Sequence, residues 1–413
     1  MARQGIIISL IFVIVLIASC AAEILADEPT YNVLDFGAIG DGNTNDTQAF
    51  VNAWSAICLH STRPSTLLIP TWKTFLLDRI VFQGPCNNAI HVKVDGNLKR
   101  TNEIWKENVN SWLLFIRITG LSIYGSGKLD GQGTNWWSCK EQNQCPFAAA
   151  HILELLSCTY VQIWGLKLFD SPMMHIAVGQ SEDVDIGGIT ISSPGDSPNT
   201  DGIHIQQSRR IKIRDSVIGT GDDCVSMSDG AEDVSVSNVN CGPGHGISIG
   251  SLGMAGTMAT ATDIYVYNCT MSQTTNGVRI KTWQGGSGFA RNISFVNITM
   301  NEVHYPIIID QYYCPHSSCG SQGKGKSIVD DANALQATAV EVSDVKYIDV
   351  TGSSTSNVAI ALNCSQSVPC TGIAMDNVNL WSANQGQRVQ SYCIDAHGSA
   401  KNQVTPAVPC LTH

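Results

Sequence analysis

The stretch 199–281 carries four polar clusters that recur beside short apolar runs. The clusters are Asn199-Thr200-Asp201-Gly202, Gly221-Asp222-Asp223-Cys224, Gly244-His245-Gly246 and Arg279-Ile280-Lys281. The apolar runs are Ile203-His204-Ile205, Val225-Ser226-Met227, Ile247-Ser248-Ile249 and Val278-Arg279-Ile280. Asp201, Asp223 and His245 each lie two residues before such a run. If the runs are strands stacked about 4.8 Å apart, three acids, a histidine and two cations meet on one surface.

Two longer series of strand starts keep step with one another along the chain. The first series is Ile176, Ile203, Val225, Ile247, Val278 and Ile307, and the second is Val184, Ile211, Val234, Ile264 and Ile293. Both series advance by 22 to 31 residues per step. A propeller would show blade signatures, and a sandwich would not keep the polar clusters in phase. The pattern therefore predicts an all-β chain, a parallel β-helix of about ten coils.

The ends of this solenoid have their own signals. An amphipathic helix is expected from about Asp46 to Cys58, with Asp46 or Thr44 as its cap and an apolar stripe formed by Phe50, Trp54 and Ile57,. We expect this helix to cover the exposed edge of the first coil.

The N-terminal segment 1–22 is interpreted as a secretory signal peptide. Arg3 precedes an apolar run from Gly5 to Ile17, which ends in small residues,. Cleavage is expected near Ala21, Ala22 or Ala26. A membrane anchor is the alternative, but the run is too short to span a bilayer comfortably. Because no linker or composition break follows, residues 27–413 are predicted to form one β-helix domain.

Cysteine usage agrees with secretion, since removal of Cys20 leaves an even fourteen of the 15 cysteines,. Zinc binding is less favoured, because no C-x-x-C pair recurs at zinc-site spacing. Glycosylation is permitted at five N-x-S/T sequons, Asn45, Asn268, Asn292, Asn297 and Asn363,. The expected disulfides are Cys58–Cys86, Cys139–Cys145, Cys224–Cys241, Cys314–Cys319, Cys364–Cys370 and Cys393–Cys410, with Cys158 and Cys269 free in the core.

The chemical signal lies in Asp201, Asp222 and Asp223. Adjacent aspartates are ordinarily a solvated turn or a cation site, but a third acid on the preceding coil changes that interpretation. Crowded carboxylates raise one another's pKa, so one can stay protonated while another is ionised at mildly acidic pH. An acid and a base are then available together, as hydrolysis of a glycosidic bond requires. His245 is in phase with these acids, which favours a role in orienting or tuning them over a purely structural one.

Arg279 and Lys281 share one face of a strand and would form a local positive patch. The net charge of -11 argues against nucleic acid,. An anionic sugar needs only local cations, because salt screens charges beyond about 8 to 10 Å. Tyr312 and Tyr313 come one coil later, where an exposed tyrosine can contact a sugar ring and a buried one belongs to the core.

Together these segments resemble the plant polygalacturonases of glycoside hydrolase family 28. Further matching segments are Asn32-Val33-Leu34-Asp35-Phe36-Gly37-Ala38, Leu129-Asp130-Gly131-Gln132-Gly133 and Tyr305-Pro306-Ile307-Ile308-Ile309-Asp310. The resemblance implies a single-stranded right-handed parallel β-helix and inverting hydrolysis of α-1,4 bonds between galacturonates. Departures occur at Trp72-Lys73, at Lys99-Arg100-Thr101 and at Tyr312, outside the four motifs.

The resemblance also implies a role for each site residue. Asp222 would be the general acid, Asp201 and Asp223 the bases that activate water, and His245 a support for the acid. Arg279, Lys281, Tyr313 and Asn199 would bind substrate. Inversion implies carboxyls roughly 6.5 to 9.5 Å apart, unless this family runs tighter. No metal or cofactor is implied.

We therefore expect a secreted cell-wall enzyme that acts on demethylated pectin, with attack on internal bonds favoured over attack at chain ends. Exo-action, a calcium-dependent pectate lyase and a non-catalytic pectin-binding wall protein are the alternatives. The expected partner is polygalacturonic acid or pectin, with no nucleic acid and no membrane after signal removal. We expect a monomer and leave open a proteinaceous inhibitor.

Overall fold

The computed structural model describes residues 28–105, 107, 109–314 and 338–412. The signal segment 1–22 and Cys319 lie outside this range.

The described part contains two α-helices, α1 (Thr47–His60) and α2 (Thr134–Glu141), and 3-10 turns at Val33–Phe36 and Met254–Gly256. Its strands, numbered in chain order, are β1 Thr30–Asn32, β2 Asp41–Asn45, β3 Ser65–Ile69, β4 Thr74–Leu77, β5 Ile80–Gln83, β6 Ile90–Val94, β7 Asn97–Arg100, β8 Ser111–Ile116, β9 Thr119–Tyr124, β10 Lys128–Asp130, β11 His151–Leu156, β12 Thr159–Trp164, β13 Lys167–Phe169, β14 Ile176–Gly179, β15 Glu182–Gly187, β16 Thr190–Ser192, β17 Ile203–Gln206, β18 Arg209–Gly219, β19 Val225–Met227, β20 Ala231–Cys241, β21 Ile247–Leu252, β22 Met258–Ser272, β23 Asn276–Trp283, β24 Ser287–Val303, β25 Tyr305–Tyr313, β26 Glu341–Ser354, β27 Val358–Asn363, β28 Cys370–Ser382, β29 Gln390–Ile394 and β30 Ala396–Thr405.

Eleven of these strands stack as one parallel column, which we call the site column. Its order is β5, β8, β11, β14, β17, β19, β21, β23, β25, β27 and β29. The register agrees with the sequence spacing, since Ile203 pairs with Ile176 and Val225, and Ile247 pairs with Val225 and Val278. Each coil of the chain therefore adds one rung, and the eleven rungs are close to the ten that the sequence predicts.

The remaining strands form a second, curled sheet of parallel strands. One column runs β1, β3, β6, β9, β12 and β15, and a second runs β2, β4, β7, β10, β13 and β16. From β18 onward a single long strand passes through both columns, because β18 pairs with β15 and with β16. The predicted second series is also in register, with Val234 between Ile211 and Ile264. The parallel β-helix prediction is confirmed.

Side-chain alternation decides what each rung buries and what it offers to solvent. The strand starts Ile203, Val225 and Ile247 are all 0% exposed and fill the interior. Because neighbouring side chains in a strand point to opposite faces, the residue after each start points away from that interior. On rungs β17, β19, β21 and β23 these outward residues are His204, Ser226, Ser248 and Arg279.

Helix α1 covers the first coils, as its apolar stripe predicts. Phe50, Trp54 and Ile57 are buried, and the Trp54 ring nitrogen donates to the Gln83 carbonyl at 3.1 Å. The predicted cap by Asp46 or Thr44 is wrong, since the Asp46 side chain makes no capping hydrogen bond and the backbone N–H of Thr47 donates to Asn45 Oδ1 at 3.0 Å. Asp46 instead accepts the backbone N–H of Ile39 at 2.7 Å, because its carboxylate is drawn into the preceding loop.

Cysteine pairing follows the prediction wherever both partners are described. The bonds are Cys58–Cys86, Cys139–Cys145, Cys224–Cys241, Cys364–Cys370 and Cys393–Cys410, and Cys158 and Cys269 are buried and free. The pair Cys314–Cys319 lies partly outside the described residues. Within those residues, neither helix has the length and apolar character needed to cross a bilayer.

Asparagines form a ladder at one corner of the coils. Asn268 donates from its side chain to the Asn238 carbonyl oxygen at 2.7 Å, and Asn297 donates to Asn268 at 2.9 Å. All three adopt positive φ angles near 53°, which asparagine tolerates better than most residues,. The sequons Asn268 and Asn297 are thus part of the solenoid, while Asn363 is buried.

Candidate active site

A cleft of about 590 Å³ lies over the middle of the site column. It brings together all eight residues that the sequence selected, Asn199, Asp201, Asp222, Asp223, His245, Arg279, Lys281 and Tyr313. It is also lined by residues that the sequence analysis did not assign to the site, among them Lys140, Met174, His204, Ser226 and Ser251.

The acids converge because the turns before successive strands are themselves hydrogen-bonded rung to rung. The backbone N–H of Gly202 donates to the Asp223 carbonyl at 2.9 Å, and that of His245 donates to the Asp222 carbonyl at 2.8 Å. Gly246 is needed beside His245, since a Cβ there would lie 2.2 Å from the Asn276 carbonyl and its φ is +83°,. The glycines of the motif therefore allow neighbouring turns to pack closely enough for their side chains to meet.

Asp223 is 1% exposed and is held by two cations. Arg279 Nη2 lies 2.8 Å from Oδ1, and Lys281 Nζ lies 2.8 Å from Oδ2. Ser248 also donates to Oδ1 at 2.7 Å. Burial alone would raise the pKa of Asp223, but Lys281 and Arg279 outweigh it and hold that pKa well below the ordinary value,. Asp223 is thus ionised at mildly acidic and neutral pH.

Asp201 has the opposite character. It is 6% exposed, and its carboxylate accepts a hydrogen bond from Ser226 at 2.6 Å. Burial, followed by the negative charges of Asp222 and Asp223, raises the pKa of Asp201 to about 7,. At mildly acidic pH the cluster therefore retains a proton that an exposed aspartate would have lost.

Asp222 lines the same cleft and is paired with His245. Its Oδ1 lies 3.0 Å from His245 Nδ1 and accepts the backbone N–H of Asp223 at 2.8 Å. Its side chain is 19% exposed, more than that of Asp223. Of the three carboxyls it is the one that His245 contacts, although the phase of the motifs aligns His245 with Asp201 and Asp223.

Ser226 and Ser248 complete the site, although the sequence analysis quoted them only as parts of apolar runs. Each is the outward residue of its rung and donates to one acid, Ser226 to Asp201 and Ser248 to Asp223. Ser226 lies 2.8 Å from His204 Nδ1, and Ser248 accepts from Arg279 Nε at 3.0 Å. The sequence did contain a signal for these two serines. Each directly follows the first inward residue of its strand, where a polar side chain points toward the cleft.

The two tyrosines divide because the pairing of β23 with β25 shifts register between Lys281 and Trp283, which places Tyr313 opposite Trp283. Tyr312 is 3% exposed and belongs to the core, whereas Tyr313 lines the cleft. The Lys281 ammonium lies 5.4 Å from the Tyr313 ring centroid, and Trp283 packs edge-on against that ring at 6.0 Å. Asn199 lines the cleft mouth and is exposed, with φ of 56°.

Asp222, Asp223 and His245 also lie close enough to one another to be a candidate metal site. One ligand atom of each lies within 4.8 Å of the others. Calcium takes six to eight oxygen ligands, and here one carboxylate is already neutralised by Arg279 and Lys281,. A divalent cation would have to displace or face these two cations, so the donor set fits calcium poorly.

The family model for "Glycosyl hydrolases family 28" matches residues 58–400. The chain belongs to this family. The family 28 chain is 42% identical over 368 residues to a polygalacturonase of Persea americana, covering 88% of this chain and 76% of that protein. It is 40% identical over 409 residues to a polygalacturonase of Prunus persica, covering 98% of each.

Solved structures carry the same fold at lower identity. The endo-xylogalacturonan hydrolase from Aspergillus tubingensis superposes with a TM-score of 0.76 at 20% identity, over 90% of the family 28 chain and all of that one. This likeness concerns the fold. Family membership establishes that the chain is a glycoside hydrolase.

Proposed function

We propose that this glycoside hydrolase is a secreted polygalacturonase that cleaves α-1,4 bonds between galacturonates in demethylated pectin. The observation that carries the proposal is a proton-holding acid, Asp201, in one cleft with Asp222 and with two cations, Arg279 and Lys281. Relatives at about 40% identity are named polygalacturonases, which supports the same substrate. The disulfides support an oxidising, extracellular location,.

The cluster charge explains how an acidic protein accepts an acidic sugar. With Asp201 protonated, the charges of Asp222 and Asp223 are balanced by Arg279 and Lys281. Arg279 and Lys281 are not free cations, since both already bind Asp223. Each has further N–H groups for a galacturonate carboxylate, because guanidinium carries five donors and ammonium three.

In the proposed reaction, water attacks the anomeric carbon as the bond to the glycosidic oxygen breaks. The leaving oxygen takes the proton of Asp222, and the attacking water gives a proton to Asp201 or Asp223. This needs one proton in the cluster at the start, a condition supported by the raised pKa of Asp201. Because Asp201 and Asp222 interact, that proton can pass to Asp222 before bond cleavage.

Single displacement with inversion is proposed from the family resemblance rather than from carboxyl spacing. Asp222 and Asp223 have carboxylate oxygens within 4.8 Å, which is shorter than the 6.5 to 9.5 Å typical of inverting enzymes,. The short spacing follows from their adjacency in sequence and from the salt bridges that hold Asp223. NMR of the first product tests inversion, since inverted cleavage of an α bond yields the β anomer.

Internal attack is proposed because the acids lie mid-column. Asp201 precedes β17 and Asp223 precedes β19, the fifth and sixth rungs of eleven. Rungs on both sides can support sugar units on both sides of the cleaved bond. Rapid loss of viscosity at little reducing-end release would support this, whereas slow thinning with release of monomer would support exo-action.

The deciding experiment compares the wild-type enzyme with Asp222→Asn on polygalacturonate. New reducing ends without an unsaturated, ultraviolet-absorbing product are expected from the wild type, and the absorbing product would identify a lyase. Asp222→Asn should lower kcat at least about a hundredfold while the fold is retained, since general acid catalysis contributes that much. An aryl galacturonide with a good leaving group should restore turnover in Asp222→Asn. Full activity of Asp222→Asn on polygalacturonate would remove Asp222 from the acid role.

A further inference from the structure

A lysine from a different part of the chain reaches the same cleft. Lys140 lies near the end of helix α2, between β10 and β11, and lines the cleft with the acids. Its pKa is lowered by partial desolvation, and the charges of Asp222 and Asp201 oppose that shift. Lys140 is therefore within electrostatic reach of Asp222 and Asp201.

Helix α2 is held firmly enough to place this side chain. Trp136 is buried, and the Trp137 ring nitrogen donates to the Ser171 carbonyl at 3.1 Å. Cys139 is joined to Cys145, which closes the loop that follows the helix. These contacts attach the helix to the segment that leads through Met174 into β14.

The chain before the helix is anchored by a buried arginine. Arg100 is fully buried and donates from Nε to the Gly131 carbonyl at 2.7 Å. Its Nη2 donates to the Gln132 carbonyl at 3.4 Å. Burial lowers the pKa of Arg100 to about 10, which leaves it charged at acidic and neutral pH. Arg100 at the unusual Lys99-Arg100-Thr101 step thus fixes the approach to α2.

Lys140 is distinguished from Arg279 and Lys281 by its position and by its lack of a partner. Helix α2 docks beside β14, whereas Arg279 and Lys281 lie on β23, with the rungs of the acids between them. Within the described residues, no carboxylate lies at ion-pair distance from the Lys140 ammonium, whereas both other cations bind Asp223. Its charge is therefore available to an incoming anion.

We propose that Lys140 binds the carboxylate of a galacturonate unit on the opposite side of the cleaved bond from the unit held by Arg279 and Lys281. The inference rests on the proposed function and adds a second ionic contact to it. A substrate bound by Lys140 on one side of the acids and by Arg279 and Lys281 on the other has its glycosidic bond positioned over the acids. Specificity for demethylated pectin then comes from two charged contacts, since a methyl ester cannot form either.

The test is calorimetric binding of oligogalacturonates to the Asp222→Asn protein, with and without Lys140→Met. Loss of one partly exposed ionic contact should weaken binding about three- to fivefold. Lys401→Met, at an exposed position on β30, is the matched control and should leave affinity unchanged. Lys140→Arg should restore most of the affinity. With methyl-esterified oligogalacturonates, the Asp222→Asn proteins with and without Lys140→Met should bind with equal affinity.

Kinetics of Lys140→Met in the active enzyme separates binding from tuning of the acids. KM on polygalacturonate should rise by the same three- to fivefold factor, with the pH profile of kcat unchanged. Affinity equal to that of Lys401→Met, or a shifted kcat profile with unchanged KM, would overturn the inference. Failure of the wild type to release reducing ends would instead refute the proposed function, while the binding comparison would still decide the role of Lys140.

Discussion

Asp201 and Asp223 occupy the same position on neighbouring rungs, two residues before Ile203 and Val225. Both are buried, and each accepts a hydrogen bond from the serine of an adjacent rung. Their pKa values nevertheless move in opposite directions, up to about 7 for Asp201 and well below the ordinary value for Asp223. A repeated backbone has therefore produced two different acids.

The difference arises from the charges that face each carboxyl, since Lys281 and Arg279 bind Asp223 whereas Asp201 is buried beside the negative charges of Asp222 and Asp223. The residues beside the two serines follow the same division. Ser248 is backed by Arg279, which also bonds Asp223 directly. Ser226 is backed by His204, whose pKa is lowered to about 4 by burial, so that it is neutral and brings no charge. One acid is fixed as a carboxylate and the other is kept able to hold a proton. A solenoid can thus build an acid–base pair by varying the outward residues of neighbouring rungs.

The largest effect should come from neutralising the paired acid. Asp223→Asn leaves Arg279 and Lys281 buried without their carboxylate, and loss of one partner of a buried ion pair costs about 3 to 5 kcal/mol,. Asp201→Asn at pH 5 replaces a protonated group by a neutral one of the same shape and should cost no more than about 1 kcal/mol. Urea denaturation at pH 5 measures both.

A double-mutant cycle sharpens this comparison. Lys281→Met should reduce the cost of Asp223→Asn, because fewer buried cations are then left unpaired. If Asp201→Asn and Asp223→Asn lowered the free energy of unfolding equally at pH 5, the assignment of a protonated Asp201 and an ionised Asp223 would be contradicted.

A smaller effect is expected on the pH dependence of stability. Between its ordinary pKa of 3.8 and its folded-state pKa of about 7, Asp201 holds a proton in the folded protein that the unfolded chain has released. Its contribution is therefore complete below about pH 4 and is lost as pH rises toward 7. Asp223, with its lowered pKa, contributes above pH 3.8 and loses that contribution as pH falls.

The contribution of Asp201 to the free energy of unfolding should accordingly decline by roughly 2 to 4 kcal/mol between pH 4 and pH 7, since one pKa unit corresponds to about 1.4 kcal/mol. The buried histidines His151, His175 and His204, whose pKa values burial lowers to about 4, act in the opposite sense, so the contribution of Asp201 is measured as the difference between the wild type and Asp201→Asn. That difference should fall between pH 4 and pH 7, whereas the difference between the wild type and Asp223→Asn should not. Denaturation midpoints at several pH values provide the measurement. A difference between the wild type and Asp201→Asn that does not change with pH would show that another group takes up the proton.

Much of this architecture was predictable because β-helix register leaves a direct trace in the sequence. The spacing of Ile203, Val225, Ile247 and Val278 sets the stacking, and residues at fixed offsets from them must then meet. Asp201, Asp223, His245, Arg279 and Lys281 could be selected for that reason, whereas the roles of Asn199, Asp222 and Tyr313 came from the family resemblance. The disulfide Cys224–Cys241 followed from the same stacking.

Features outside the repeated strands could not be predicted from the spacing of the sequence. Lys140 and Arg100 act through the loop around α2, whose docking depends on contacts such as Trp137 to Ser171 rather than on any repeat. Asp46 has the residue type and position of a helix cap, yet the loop at Ile39 competes for its carboxylate. Tertiary competition of this kind cannot be deduced from local sequence.

The smallest predicted effect concerns the two serines. Ser226 lowers the pKa of Asp201 by donating to its carboxylate, so Ser226→Ala should raise that pKa further and move the alkaline limb of the kcat/KM profile upward,. A hydrogen bond worth about 1 kcal/mol corresponds to a shift of just under one pH unit. Ser248→Ala is the matched control, because Arg279 and Lys281 still hold Asp223 ionised. Its alkaline limb should stay within about 0.2 units of the wild type, since the group that titrates there is Asp201. Equal shifts in the two variants would mean that the proton is shared with Asp223 as well, and that the two rungs are less different than their cations imply.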